Sequence, residues 1–271
     1  MSPLPRRIPS LAFIAQAGVL VATIAGCGPA LHPVPSDPVQ DPAVLLDAVR
    51  ARAARQGTMA AEARLSGRSD RGSARGRVSI LADAAGSRLR VDAWTPTDDL
   101  VATLAADPEG FGYFERGAGA CLAGPACRER LRLMLPLGLD LRDAVRALFG
   151  IPPGIDEPGP WTIAFDRRLG AYRLESVPAP EAAVRVWIRE DGAVTRAQRV
   201  EAGLEVFRID FGEFGADGLP RTLDFRATGD DAQVSIRYRE IEREPALAPG
   251  DWALSCPRGL PTRRLPCEET P

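Results

Sequence analysis

The sequence predicts a mainly β (α+β) fold with three helices, and two kinds of periodicity indicate it. Many short segments alternate apolar and polar residues, and glycine, aspartate, serine and proline separate them, which is typical of antiparallel strands. Three segments show the helical period instead, one ahead of the strands and two in their middle. Because helices and strands do not alternate regularly, we expect an antiparallel sheet of roughly eleven to thirteen strands and not an α/β fold.

The first 26 residues have the layout of an export signal. Arg6 and Arg7 precede a mainly apolar stretch over residues 11–24, and small residues follow it. The stretch is too short and too interrupted for a membrane span. We therefore expect residues 1–26 to be a signal peptide.

Residues 24–27, Ile-Ala-Gly-Cys, resemble the lipobox of bacterial lipoproteins. The resemblance implies cleavage before Cys27 and acylation of this cysteine, and several acyl chains anchor stably because each buried methylene adds about 0.8 kcal/mol. Gly28 stands where the inner-membrane retention signal has aspartate, which favours the outer membrane. The alternative is an ordinary secretory signal with an incidental cysteine.

A proline-rich tract over residues 27–41 separates the signal from the first helix. Its prolines favour an extended tether with few hydrogen bonds, which would hold the domain off the membrane.

The first helix has a clear start and end. Asp41 suits the N-cap, Pro42 suits the first helical position, and Gly57 ends the segment. One apolar stripe consists of Leu45, Leu46, Val49 and Ala53. We interpret this stripe as a contact with the core.

The first block of strands shows a period of two. Its segments are residues 61–67, 76–83, 87–94, 100–107, 110–116 and 118–122. Leu89, Val91 and Ala93 alternate with charged residues, so one face should lie on a core and the other in water.

Two short amphipathic helices interrupt the strands. The first spans about residues 125–135, and Pro136 ends it. In the second, Asp140 is the cap, and apolar residues recur with helical spacing up to Phe149. Both helices should cover something apolar.

The second block of strands resumes after the helices. Its segments are residues 161–166, 171–176, 182–188, 193–200, 204–211, 221–228 and 233–242. Glycine and aspartate mark the turns between them.

Four further cysteines follow Cys27, and an exported chain meets an oxidising environment. They allow three pairings, of which the simplest joins sequence neighbours. We therefore expect disulfides between Cys121 and Cys127 and between Cys256 and Cys267.

The residue types favour a binding protein over an enzyme. The one histidine, His32, lies in the tether, and there is no lysine, so the domain lacks a histidine base or a Schiff-base lysine. Neither cysteine pair has the C-x-x-C spacing of a zinc site. A formal net charge of −2 argues against a nucleic-acid surface. We expect no catalytic residue, metal, cofactor or nucleic-acid partner.

The order of helix, six strands, helix pair and more strands resembles the bacterial lipoprotein-localisation proteins LolA and LolB. The phrases "AEARLSGRSDRGSARGRVSIL", "GLPRTLDFRA" and "PALAPGDWALSCPRGL" carry the likeness, which spans about residues 42–262. It implies an incomplete antiparallel β-barrel whose cavity binds acyl chains of lipids or lipoproteins under helices. Residues 263–271 form a C-terminal tail.

Bulky residues from the strands and the helix pair are candidates for the cavity wall. They are Trp94, Phe111, Tyr113, Leu131, Met134, Leu148, Phe149, Trp161, Val186 and Phe207. For each of them the alternative is a position in a filled core.

Two features depart from the resemblance. The family's lipid-anchored receptor carries a protruding leucine in a loop that matches "WTPTDDL" here, where Thr97 and Asp98 stand near the tip. The cysteine pairs and the residues after Gly259 also have no counterpart in the family's usual pattern.

Taken together, the signal, the lipobox and the resemblance lead us to expect a lipid-anchored outer-membrane protein that faces the periplasm and binds acyl chains. The alternative is a module with a packed interior that holds an envelope protein partner.

Overall fold

The computed structural model describes residues 31–70, 72–134, 137–228 and 231–267, and the statements below concern these residues. The predicted signal peptide and Cys27 lie outside them.

The mainly β fold is confirmed, and all thirteen predicted strands form. The first block contains β1 (Thr58–Ser69), β2 (Gly72–Asp83), β3 (Arg88–Trp94), β4 (Leu100–Asp107), β5 (Gly110–Glu115) and β6 (Cys121–Gly124). The second block contains β7 (Trp161–Asp166), β8 (Ala171–Ala179), β9 (Ala182–Ile188), β10 (Val194–Glu201), β11 (Leu204–Phe214), β12 (Pro220–Ala227) and β13 (Ala232–Arg243). A further strand that the sequence analysis missed is β14 (Thr262–Arg264).

The described strands form one sheet in the order β14-β6-β5-β4-β3-β2-β1-β13-β12-β11-β10-β9-β8-β7. Antiparallel pairing of β1 with β13 joins the two blocks, and the one parallel pair is β14 with β6. Strands β7 and β14 end the sheet without pairing to each other. The result is the incomplete barrel that the resemblance implied.

Helix α1 (Pro42–Ala53) begins where the sequence predicts it. The carboxylate of Asp41 accepts a hydrogen bond from the Ala43 N–H at 2.8 Å, and this satisfies a donor that the first turn leaves free. Leu45, Leu46 and Val49 are buried, and the helix packs beside β7.

The helix pair consists of α2 (Arg128–Met134) and α3 (Leu141–Leu148). The Asp140 carboxylate caps α3 by accepting from the Asp143 N–H at 2.7 Å. Helix α3 packs on β2 and β3, and the buried Tyr238 hydroxyl of β13 donates to the Leu148 carbonyl at 3.3 Å. This bond ties the end of α3 to the sheet.

Residues 249–267, which we call the C-terminal strap, run across the outer face of the first block. Arg90 donates to the carbonyls of Asp251 and Ala253 at 3.2 and 3.0 Å, and the Arg88 guanidinium lies 4.5 Å from the centre of the Trp252 ring. The polar side chain of Thr103 is only 1% exposed, and its hydroxyl donates to the Asp92 carboxylate at 2.6 Å.

The disulfides join Cys121 to Cys256 and Cys127 to Cys267, so the predicted pairing of sequence neighbours is wrong. The strap returns to β6, where Thr262 pairs with Cys121. This brings together cysteines that are 135 and 140 residues apart in sequence.

The described part of the proline-rich tract, residues 31–40, contains no helix or strand and lies along the domain. The His32 N–H donates to the Arg167 carbonyl at 2.8 Å, and the Val39 N–H donates to the Tyr172 hydroxyl at 3.1 Å. Among the described helices, none has the length and apolar character that a membrane crossing requires.

Candidate functional site

A cavity of about 400 Å³ lies between α3 and the inner face of the sheet. Its wall is formed by mainly apolar side chains from β1, β2, β3, β5, β13 and α3, and from the segment between α2 and α3. They are Leu65, Ile80, Leu89, Val91, Tyr113, Leu137, Ala144, Leu148, Val234 and Ile236. One end of the cavity, which we call the mouth, is lined by Gly67, Arg68, Ser69, Gly72, Ser73 and Ala74.

Small residues at inward positions explain why this space is not filled. Gly67 lies opposite Ala74, and Leu65 lies opposite Gly76, where β1 pairs with β2. Of these four residues, only Leu65 has a large side chain. A Cβ built on Gly67 would lie 3.8 Å from its nearest neighbours, which is an ordinary van der Waals contact, so the position has room for a Cβ without a clash.

A second, smaller apolar space of about 30 Å³ adjoins the cavity. Leu137, Ala144, Leu148, Val234 and Ile236 border both spaces. On its far side the smaller space reaches β11 and β12. The cavity therefore extends toward the second block behind α3.

The polar groups of the cavity wall are concentrated at the mouth, with Tyr113 as the exception. The Tyr113 hydroxyl donates to Glu115 at 3.1 Å. Burial, together with the nearby Glu115 carboxylate, raises the pKa of Tyr113 to about 12. The phenol is therefore neutral, and its one proton is already donated, so the inner wall presents no charge to a ligand.

Two of the ten residues proposed for the wall border this cavity, namely Tyr113 and Leu148. Five others are buried members of the surrounding core: Phe111, Leu131, Phe149, Val186 and Phe207. Trp161 borders a different groove beside α1. Met134 lies in α2, and its side chain is outside the described residues.

Trp94 does not face the cavity, which corrects its proposed position. Its indole N–H donates to the Ser79 hydroxyl at 3.2 Å, and Ser79 in turn donates to Glu62 at 2.8 Å. Trp94 lies on the outer face, because Leu89 and Val91 of the same strand border the cavity and alternate residues of a strand point to opposite faces. The alternation that starts at Leu89 therefore predicts correctly that Trp94 points outward. The size of the Trp94 side chain suggested a position in the cavity wall instead.

The sequence analysis missed most of the wall, including Leu65, Val91, Val234 and Ile236. The signal that would have found the site is the cluster of small residues at inward positions, Gly67, Ala74 and Gly76, on two paired strands. A search for bulky residues selects filled parts of the core instead.

The loop between β3 and β4 is closed by polar contacts. The Thr95 N–H donates to the Asp99 carbonyl at 2.9 Å, and Asp98 forms an ion pair with Arg77 at 2.5 Å. Thr97 and Asp98 are exposed at its tip, whereas Trp94 and Leu100, the two apolar residues that flank it, are half-buried. The loop therefore presents polar groups to solvent.

The described residues contain no group of three or more histidine, cysteine, aspartate or glutamate side chains suited to a metal ion. His32 lies against the turn between β7 and β8, away from the cavity.

Solved structures that match the chain in fold include the following three. A domain from Vibrio parahaemolyticus assigned to outer membrane lipoprotein sorting has a TM-score of 0.53 and 11% identity, with 76% of this chain and 95% of that one covered. A DUF1329 family protein from Desulfovibrio piger has a TM-score of 0.53 and 11% identity, with 79% and 98% covered. A LolA superfamily protein from Nitrosomonas europaea has a TM-score of 0.51 and 12% identity, with 80% and 98% covered.

No protein-family model matches the chain, and no curated protein sequence matches it significantly. The likeness is therefore one of fold. The chain has the LolA/LolB-like fold, and its cavity lies on the concave side of the sheet under α3.

Proposed function

We propose that this protein is a lipid-anchored protein of the cell envelope that binds acyl chains of lipids or lipoproteins in its cavity. The observation that carries the proposal is the apolar cavity of about 400 Å³ beneath α3. This volume lies within the range of roughly 300–1,000 Å³ that is typical of small-molecule sites.

The energetics of burial suit an acyl ligand. Each methylene moved from water to the apolar wall contributes about 0.8 kcal/mol, so ten buried methylenes contribute roughly 8 kcal/mol before the entropy of association is subtracted. The inner wall offers no charged group. Uncharged hydrocarbon is therefore the chemistry that this wall matches, and binding needs no catalytic residue.

The place of the protein in the envelope rests on residues outside the described part. We propose that Cys27 is the acylated N-terminus after cleavage of residues 1–26, and that the anchor lies in the outer membrane with the domain facing the periplasm. The fold likeness to a domain assigned to outer membrane lipoprotein sorting supports this location. Mass spectrometry of the N-terminal peptide tests both the cleavage and the acylation. A peptide that is uncleaved or unmodified would contradict the proposed anchor.

A second candidate function is an interaction module for an envelope protein. The polar loop between β3 and β4 favours it, because Thr97 and Asp98 give no apolar tip for insertion of cargo into a membrane. In that case the cavity would take no lipid.

Photo-crosslinking separates the two functions. A monoacylglycerol with a diazirine on its acyl chain is added to the full chain in phosphatidylcholine nanodiscs, and labelled peptides are identified by mass spectrometry. We expect labels on peptides that contain Leu65, Val91 or Leu148, because these side chains line the cavity.

Gly67→Leu supplies the decisive variant, since its side chain would extend into the cavity from a position with room for a Cβ. It should lower the labelling several-fold. The matched control is Arg64→Leu, which places the same side chain on the outer face of β1 at an exposed position outside the cavity wall. Equal labelling of the two variants, or labels spread outside the cavity, would favour the interaction module.

A further inference from the structure

Arg68 at the mouth and Arg75 beside the mouth have no acidic partner among the described residues. Arg68 of β1 and Arg75 of β2 are both exposed, and no described carboxylate forms an ion pair with either. Arg77 provides the contrast, since it lies two residues along β2 from Arg75 and is paired with Asp98 at 2.5 Å. The guanidinium groups of Arg68 and Arg75 are therefore free to bind an anion.

The strand register brings these two arginines together. Arg68 lies opposite Ser73, and Ser73 and Arg75 are two residues apart on the same face of β2. Arg68 and Arg75 are therefore diagonal neighbours, which lie about 7–8 Å apart in antiparallel strands. Their long side chains can reach one and the same anion.

The arginines lie where the apolar cavity adjoins a polar groove. Arg68 borders the cavity, and Arg68 and Arg75 both border a polar groove of about 720 Å³ on the outer side of the sheet. The cavity and the groove share a rim that includes Gly67, Arg68 and Ser73. An amphiphile with its tail in the cavity would place its head group beside Arg68.

A third arginine adds positive charge to the same groove. Arg226 of β12 lies opposite Gln233 of β13, and Gln233 lies opposite Arg68. Arg226 is exposed and borders the groove.

Two acidic residues also border the groove, Asp210 and Asp224. Asp210 is already bound by Arg196 at 2.5 Å and Arg208 at 3.2 Å. Asp224 lies on β12, as Arg226 does, two strands from β1, so these two charges offset each other. The described residues that border both the groove and the cavity include Arg68 and no acidic residue.

We propose that the amphiphile in the cavity carries a phosphate head group, which Arg68 and Arg75 bind at the mouth. This inference rests on the proposed function and names the class of its ligand. Guanidinium groups bind phosphate through paired, charge-assisted hydrogen bonds. The hydroxyls of Ser66 and Ser73, which also border the groove, supply further donors.

The test compares two photoreactive probes with the same acyl chain, a neutral monoacylglycerol and the corresponding monoacylglycerol phosphate. Both are titrated against the full chain in phosphatidylcholine nanodiscs, and labelling of cavity peptides is measured. For the wild-type chain we expect half-maximal labelling by the phosphate probe at a concentration about tenfold lower, since bonds to charged groups are stronger than neutral ones.

The variant is Arg68→Gln combined with Arg75→Gln. It should weaken the phosphate probe about tenfold and change the neutral probe by less than about twofold, because the apolar wall is intact. The matched control is Arg64→Gln with Arg239→Gln. These arginines are exposed on β1 and β13 and border neither the cavity nor the groove, so the preference for phosphate should persist.

Inorganic phosphate distinguishes a lipid head group from a free anion. Millimolar phosphate should not displace the phosphate probe, because it lacks the tail. Complete displacement would identify a free-anion site and overturn the inference.

Two other outcomes separate this inference from the proposed function. Equal binding of both probes to the wild-type chain, or an unchanged preference in the double variant, overturns the role of the arginines but leaves acyl binding intact. Absence of cavity labelling by the neutral probe contradicts the proposed function, and the inference fails with it.

Discussion

The hairpin of β1 and β2 and the hairpin of β8 and β9 belong to one sheet and face the same interior, yet only the first borders the cavity beneath α3. In the second hairpin, Tyr172 lies opposite Ile188 and Leu174 opposite Val186, and all four are at most 1% exposed. In the first hairpin the inward pairs near the turn are built around glycine and alanine. Both hairpins thus border one interior of the curved sheet, and the volume of their side chains decides which part of that interior is filled.

The two halves also differ in how they are closed. The second block closes over large side chains that follow α3, such as Phe149, Ile151 and Ile155, which are at most 1% exposed. In the first block, Cys121 of β6 and Cys127, the residue before α2, are joined to the C-terminal strap by two disulfides. Covalent bonds therefore add to the packing that closes this half.

A matched pair of leucine substitutions tests this contrast most strongly. Leu174→Ala removes a fully buried side chain from the filled half and should lower the free energy of unfolding by about 3–5 kcal/mol. Leu65→Ala, in the cavity wall, should cost about 1 kcal/mol, because one side of Leu65 already faces open space. Denaturant unfolding measures both. Equal losses would mean that the cavity half is as tightly packed as the other.

Removal of the strap's second disulfide should have the next largest effect. Cys127→Ser with Cys267→Ser removes one crosslink of the strap while Cys121–Cys256 remains, and we expect a loss of about 3 kcal/mol. Comparison with the wild type in the presence of a reductant provides the control, because reduction should abolish most of the difference between the two proteins. A variant as stable as the oxidised wild type would show that packing alone holds the first block.

The smallest expected change in stability concerns Asp143 of α3, the helix that borders both the cavity and the smaller space toward the second block. Burial and the neighbouring Asp140 carboxylate raise the pKa of Asp143 to about 6. A carboxyl with a raised pKa in the folded state binds protons more readily than in the unfolded state, so stability falls as the pH rises from about 4 to about 6.

Asp143→Asn should therefore be more stable than the wild type by about 2 kcal/mol at pH 7 and about equal to it at pH 4. Unfolding at the two pH values measures this difference. Asp47→Asn, which removes an exposed carboxylate from α1, is the control for the loss of one negative charge from a helix. A stability difference that is the same at both pH values would contradict the effect of burial.

The strands, helices and their order could be predicted from the sequence because their signals are local. The alternation of Leu89 and Val91 with charged residues depends only on neighbouring positions, and so do the caps at Asp41 and Asp140. These signals, together with the family resemblance, led to the incomplete barrel that the structure confirms.

The position of the cavity and the pairing of the cysteines were decided only by the tertiary structure. Whether Leu65 borders open space depends on residues of β2, α3 and β13, which lie far apart in the chain. The partner of Cys121 likewise depends on the path of the strap back to β6. The sequence by itself determined which residues point inward, but only packing in three dimensions decided how much volume those residues leave empty.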